Sequence, residues 1–410
     1  MTSIPESAAP EAKRLSEREF IALVAMLFAT IAFSIDAMLP ALSTIGAELA
    51  PEAPSRAALV VGIFVFGLGL GTLITGPLSD AVGRKRVILS AYVLFIAGAI
   101  IAGTAPTLEI MLAGRFLQGL AAAGPRIAAL AMVRDLYNGP KMAAIMSMTM
   151  VIFGLIPAIA PLLGQTIMLG FGWRAIFFAF ALFALAASLW LWSRQPETLP
   201  PEARNPMRIA TLWAAMKMAL SNRVFRFAVA VQTMIYGALF SQISAIQPVF
   251  DISYDRGESF PLWFGAMAIL SMSASFINSR IVARFGMRRI IITALTVQGI
   301  FSAAVLAAIL IGGSLPFAVF YVWATSVMFL VGFTLGNLNA LAMEPMGKIA
   351  GLAASISGAI STVLSAVIAM PISLSFDGTP RALVEGVLVC VVIAFGLMKW
   401  LGPRRATDMS

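Results

Sequence analysis

The stretch GPLSDAVGRKRV, Gly76 to Val87, sits between two uncharged apolar runs at about 58–78 and 87–105. Each run is long enough to cross roughly 30 Å of hydrocarbon, so the stretch itself can only be a tight turn at a membrane surface. Gly76 and Gly83 permit close backbone approach. Asp80 can meet a basic residue or a helix N-terminus, and Arg84, Lys85 and Arg86 suit the headgroup layer. Part of the stretch occurs twice: GRKRVI at Gly83 to Ile88 returns as GMRRII at Gly286 to Ile291, 203 residues later. A second string, ALAM at 129–132, returns at 340–343, offset by 211. Two matches at nearly one offset and at equivalent places point to duplicated halves, a pattern of transport proteins.

Working outward, the 410 residues are 60% hydrophobic and 11% charged, with a mean hydropathy of +0.94. Ordinary soluble domains carry about 25% charge, so a soluble enzyme, a nucleic-acid binder and a disordered chain are excluded. The apolar runs number twelve, at about 20–40, 58–78, 87–105, 109–133, 142–168, 174–193, 225–248, 260–282, 289–312, 316–342, 349–373 and 382–401. The fold expected is an all-α integral membrane protein with twelve transmembrane helices in two pseudo-symmetric six-helix halves. Its parts are a tail at 1–19, a first half at 20–193, a linker at 194–224, a second half at 225–401 and a tail at 402–410. The linker holds Pro196, Pro200, Pro201 and Pro206 and a modest amphipathic piece from Leu212 to Leu220.

Charge distribution sets the orientation. With both termini on one side, 22 of the 28 basic residues fall there, and only Arg56, Arg174, Arg256 and Arg381 on the other. Arg115 and Arg126 remain inside the fourth run. The positive-inside rule then places both termini and the linker in the cytoplasm. There is no histidine and a single cysteine, Cys390. Histidine-ligated metals, histidine proton relays and an internal disulfide are impossible, and no metal site is expected.

Gly76 to Val87 resembles the turn signature between the second and third helices of the major facilitator superfamily. The resemblance implies that Asp80 and Arg84, with Gly76, Gly83 and Arg86 around them, lock the inward-closed arrangement. The second copy departs from it, with Ala283 in place of the acid and Met287 in place of the first arginine. DAMLPAL (Asp36 to Leu42), GRFLQGLAAAG (Gly114 to Gly124), MVRDLY (Met132 to Tyr137), APLLGQ (Ala160 to Gln165), GWRAIF (Gly172 to Phe177) and PETLPPEAR (Pro196 to Arg204) together resemble the Bcr/CflA drug-efflux group. In the fifth run Gly154, Pro157, Pro161 and Gly164 replace the glycine-proline core of the broader antiporter motif. The resemblance implies proton-driven export of small drugs, with chloramphenicol, bicyclomycin and sulfonamide-like compounds as substrate classes. No cofactor is implied, the proton gradient being the energy source. The partners expected are a small amphipathic substrate, protons and the lipid bilayer, without nucleic acid, and the protein is expected to be a monomer.

Charges inside the bilayer carry the chemistry, since each costs at least ~2.5 kcal/mol at a helix centre unless paired or facing water. Three stand out: Asp36, Arg115 and Arg126. Arg115 and Arg126 are eleven residues apart, about three turns, and so are expected on one face lining a cavity. Asp36, near the outer end of the first run, matches Arg115 in depth, and a pair across the cavity follows. Two plainer roles remain open, Asp36 as a turn cap before Pro40 and Arg126 snorkelling to headgroups. The resemblance assigns Arg115 to the proton and substrate machinery. In the second half Gln232, Gln242, Asn337 and Asn339 are candidates either for substrate contact or for plain helix-to-helix hydrogen bonds. Gly351, Ser355 and Gly358 read as close helix packing.

Other function classes fail on specific residues. Gly67, Gly69 and Gly71 lie in an apolar helix, and no GxxxxGK[ST] string exists to hold a nucleotide. A membrane enzyme lacks a histidine base and an intramembrane acidic pair. A channel fits duplicated halves with one asymmetric charge cluster less well than alternating access does. What remains is a secondary transporter and not an enzyme: a proton-coupled drug exporter, or alternatively an importer or exchanger of a small metabolite.

Overall fold

A computed structural model describes residues 15–402. The outer parts of both expected tails, with Lys13, Arg14, Arg404 and Arg405, lie outside the described residues. Among the described residues there is no strand. Fourteen α-helices follow one another: α1 Glu17–Asp36, α2 Leu42–Leu49, α3 Leu59–Val82, α4 Arg84–Gly103, α5 Leu108–Leu136, α6 Gly139–Phe171 and α7 Arg174–Arg194. After the linker come α8 Ile209–Ser221, α9 Arg223–Pro248, α10 Phe260–Phe285, α11 Met287–Gly312, α12 Phe317–Met343, α13 Ala350–Leu374 and α14 Arg381–Leu401. Twelve spans are long and apolar enough to cross a membrane, and each overlaps one expected run, with ends that differ by about a turn except in the first, which continues past Pro40 to Leu49. A wide belt of exposed Leu, Ile, Val and Phe, such as Val93, Leu182, Ile300 and Ile311, suits contact with lipid.

The extra helices have local causes. Pro40 has no N–H to offer the Asp36 carbonyl, so α1 stops there. The chain then turns through Leu39–Ala41 into the short α2. α8 has thirteen residues, too few to span, and buries only Ala215 and Ala219. Both described ends lie on the linker's side. Glu19 of α1 bonds Arg194 at 2.9 and 3.0 Å, and the Trp400 carbonyl of α14 accepts from Arg223 at 2.9 Å. We refer to this side as the linker face.

The two halves are packed by different means. In the first, α3, α4 and α5 close on glycines. A methyl on Gly67 would strike the Phe116 carbonyl, one on Gly71 the Leu120 carbonyl and one on Gly119 the Phe64 carbonyl, while Gly98 and Gly114 face each other's backbone. Between the halves α3 packs on α13 and α6 on α10.

Candidate functional site

Arg115 lies wholly buried on α5. Its guanidinium donates to the Val60 carbonyl at 3.2 Å, to Ser34 Oγ at 3.0 Å, to the Ser34 carbonyl at 3.1 Å and to Gln118 Oε1 at 3.0 Å. It also sits 4.3 Å from the centre of the Phe64 ring. No carboxylate is among these partners, so the expected pair with Asp36 is not formed. Depth is not the obstacle, because Arg115 reaches Ser34, two residues before Asp36. Residues two apart on a helix point about 200° from one another, so α1 cannot offer both side chains to α5. Asp36 is the only carboxylate among the buried described residues and has no hydrogen-bond or ion-pair partner among them.

Arg126 differs from Arg115. It is exposed rather than buried and has no partner among the described residues. The two arginines share a side of α5 by spacing, but at Arg115 that side is packed against α1 and α3. A cavity lined by two buried arginines is therefore absent among the described residues.

At the α3–α4 turn, Arg84 is buried and joins three parts of the first half. It pairs with Asp80 and with Asp135 of α5, the latter at 3.1 Å, and donates to Ser79 Oγ at 2.9 Å. Gly83 has φ 114°, a conformation that suits glycine, and lets the chain reverse directly into α4. The first amides of α4 are capped from the linker: the Glu197 carboxylate accepts from Arg84 N at 2.9 Å and Lys85 N at 3.2 Å. Thr198 Oγ1 donates to Asp135 at 3.0 Å, and Asn205 N donates to the Asp80 carbonyl at 3.1 Å. Arg86 is exposed. Sequence reading missed Asp135 and Glu197, although both lie in strings already quoted, MVRDLY and PETLPPEAR.

Beside this cluster a cavity of about 750 Å³ opens at the linker face. Asp80, Arg84 and Arg134 line it from the first half, Gly351 and Ser355 from the second, and Asn205 to Leu212 of the linker border it. The α3–α13 seam is tight at Gly62 on Met370 and Gly69 on Val363. It loosens toward the cavity, where a methyl at Gly76 would stand 3.7 Å from Ser355 Oγ and Gly351 has open space. The opposite face is joined across the halves. Ser43 donates to Gln247 Oε1 through its amide at 3.3 Å and its hydroxyl at 3.0 Å, and Gln165 donates to the Glu258 carbonyl at 2.9 Å.

In α6, Gly164 lets the Ala37 carbonyl come so close that a methyl there would overlap it, and Gly154 faces Met272 of α10. Pro161 is buried and Pro157 half-buried. The four residues thus lie where α6 meets α1 and α10. The second-half polar side chains bridge helices. Gln232 donates to Asn339 at 3.2 Å and accepts from Ser357 at 3.1 Å. Asn337 donates to Asn278 at 2.9 Å, and Gln242 donates to the Ala324 carbonyl at 2.9 Å. The Gln242 Oε1 is buried without a partner.

A profile of the Major Facilitator Superfamily matches residues 21–371, most of the chain. The chain belongs to this superfamily. As a superfamily member it is a multi-pass membrane transporter and not an enzyme. Among its relatives, a bicyclomycin resistance protein homolog of Haemophilus influenzae is 27% identical, covering 92% of this chain and 94% of that protein. The multidrug resistance protein MdtL of Escherichia coli is 28% identical, covering 90% of this chain and 92% of that one. Among solved structures, a D-xylose-proton symporter superposes with a TM-score of 0.75 at 14% identity, over 93% of this chain and 97% of the other, which shows the shared fold.

Proposed function

We propose that this superfamily member is a proton-coupled antiporter that exports small drug-like molecules of the chloramphenicol, bicyclomycin or sulfonamide-like classes by alternating access. The observation that carries the reading is Asp36, a buried carboxylate without a partner inside a membrane span. A charge left alone there is costly, and a proton removes the cost. The names of two relatives, a bicyclomycin resistance homolog and a multidrug resistance protein, support drug-like molecules as the substrates. Asp36 carries the proton, and Arg115 holds α1 and α3 on α5 through Ser34 and Val60. Protonation of Asp36 then acts on α1 directly and not by breaking an ion pair with Arg115. Asp80, Arg84, Asp135 and Glu197 hold the linker-face turn through the cycle. The proton gradient is the energy source and no cofactor takes part. The protein works as a monomer in a bacterial inner membrane, as two six-helix halves, 20–193 and 225–401, joined by the 194–224 linker. Both termini are cytoplasmic, which makes the linker face the cytoplasmic one.

Purified protein in liposomes with an imposed pH gradient tests this. Chloramphenicol, bicyclomycin and a sulfonamide are offered in turn, and the expected result is movement of at least one of them against the proton flow. Movement of none of them, together with no shift in drug susceptibility of a pump-deficient host, overturns the export reading and favours a metabolite importer or exchanger.

A further inference from the structure

In the second half, α10 and α11 diverge from their shared turn at Gly286, and both rest on α12 while scarcely touching each other. Between them lies a groove of about 780 Å³, floored by Thr325, Phe329 and Phe333 and rimmed by Leu270, Val297 and Arg289. The repeat explains why the groove exists here and not in the first half. At the offset of 211, Thr325 and Leu330 stand where Gly114 and Gly119 stand; at 203, Leu270 stands where Gly67 stands. Three of the glycines that close α3 and α4 onto α5 are larger residues here, and beside them the helices are held apart.

The groove's character identifies its occupant. Most polar atoms along it are turned away: Thr325 donates to the Tyr321 carbonyl, Ser326 to the Trp323 carbonyl, Tyr321 to the Trp263 carbonyl and Gln298 to Ser302, while the Thr293 hydroxyl has no partner among the described residues. An occupant therefore meets mostly hydrocarbon. Along α11 the lining runs inward from Arg289 to Gln298, about 14 Å, and the antiparallel α12 carries it on from Phe333 to Tyr321, about 18 Å further, toward the opposite face. The α11 part is close to the depth of one leaflet, half of roughly 30 Å, and it ends near the level of Phe333. At the linker-face end Arg289 is exposed, with only the Phe285 ring beside it, 5.8 Å from its centroid. Arg280, Arg284 and Arg288 share that end, and no Asp or Glu occurs anywhere between Glu258 and Glu344. We propose that the linker-face half of this groove is a binding site for one anionic phospholipid of that leaflet, its acyl chain along α11 toward Phe333 and its phosphate on Arg289.

The test uses the full chain in nanodiscs containing a phosphatidylglycerol whose acyl chain carries a photoreactive diazirine, with the matching phosphatidylcholine in parallel. Peptide mass spectrometry should place the adducts on 289–298 and 329–333. The phosphatidylglycerol signal should exceed the phosphatidylcholine one at least fivefold. Arg289→Ala should erase that preference, whereas Arg86→Ala, at the repeat-equivalent position, should leave it. Soluble glycerol phosphate should not compete, because the acyl chain supplies the binding. Thr293→Phe and Val297→Trp, both at exposed positions, fill that half of the groove without disturbing buried packing; either should reduce the adducts at least fivefold. Equal labelling by the two lipids, adducts spread over all the spans, or labelling unchanged in Val297→Trp overturns the proposal. Displacement of the probe by a transported drug overturns it too, making the groove a drug site.

Discussion

Gln247, at the end of α9, accepts two hydrogen bonds from a single residue of the other half, the amide and hydroxyl of Ser43 on α2. Neutral bonds of this kind contribute about 0.5–1.5 kcal/mol each. Gln247→Leu should therefore shift the balance between closed and open opposite-face states by roughly tenfold. Spin labels at Glu52→Cys and Thr379→Cys, in a Cys390→Ala background, should report a longer population in the distance distribution. An unchanged distribution would show that Gln165 and the α6–α10 seam hold that face alone.

Asp36→Asn fixes a neutral side chain at the proposed proton site. Substrate-induced proton release from the purified protein should fall to background while substrate binding persists. Release at the wild-type level would assign the proton to another group.

Because Arg115 is held by Ser34, Val60 and Gln118, its removal leaves buried acceptors empty. Arg115→Ala should cost about 1–3 kcal/mol per orphaned group and lower the melting temperature. Its effect should add to that of Asp36→Asn, since the two side chains share no partner. Strong non-additivity in a double-mutant cycle would restore the ion pair that the geometry lacks.

At the linker face, Asp80→Asn should reduce transport more than tenfold with the protein still folded and inserted. Glu197→Ala removes the cap from α4 and should cost about 0.5–2 kcal/mol in thermal stability. Wild-type transport in Asp80→Asn would leave the Gly76 to Val87 turn with a structural role only.

Orientation is open to direct measurement. With Cys390 replaced, Thr211→Cys on the linker should resist impermeant thiol reagents in intact cells, and Thr379→Cys on the opposite face should react. The reverse pattern would invert the topology.

The twelve spans were legible because each is a long apolar run bounded by charge or by Gly and Pro, a signal that needs no tertiary information. The turn at Gly83 was legible for the same local reason. Asp36 was correctly singled out as a buried acid, but its partner was misjudged. Depth can be counted along a sequence, whereas the side of α1 that meets α5 is fixed by Thr30 on Tyr92 and Ser34 on Arg115, contacts 62 and 81 residues apart. The exposure of Arg126 was illegible for a related reason, since one face of α5 meets packed helices at one depth and not at another. Glu197 was invisible because a cap supplied 113 residues away leaves no local trace.

The glycine closure of the first half also limits how this transporter can diversify. Glycine has no smaller replacement, so Gly67, Gly71, Gly98, Gly114 and Gly119 can mutate only toward bulk, and each step of that kind drives a side chain into a neighbouring backbone. Thr325, Leu330 and Leu270 stand at the edge of open volume and can change in either direction. Inherited variation should therefore collect in α10 to α12, leaving α3 to α5 as the slowly changing partner of the pair.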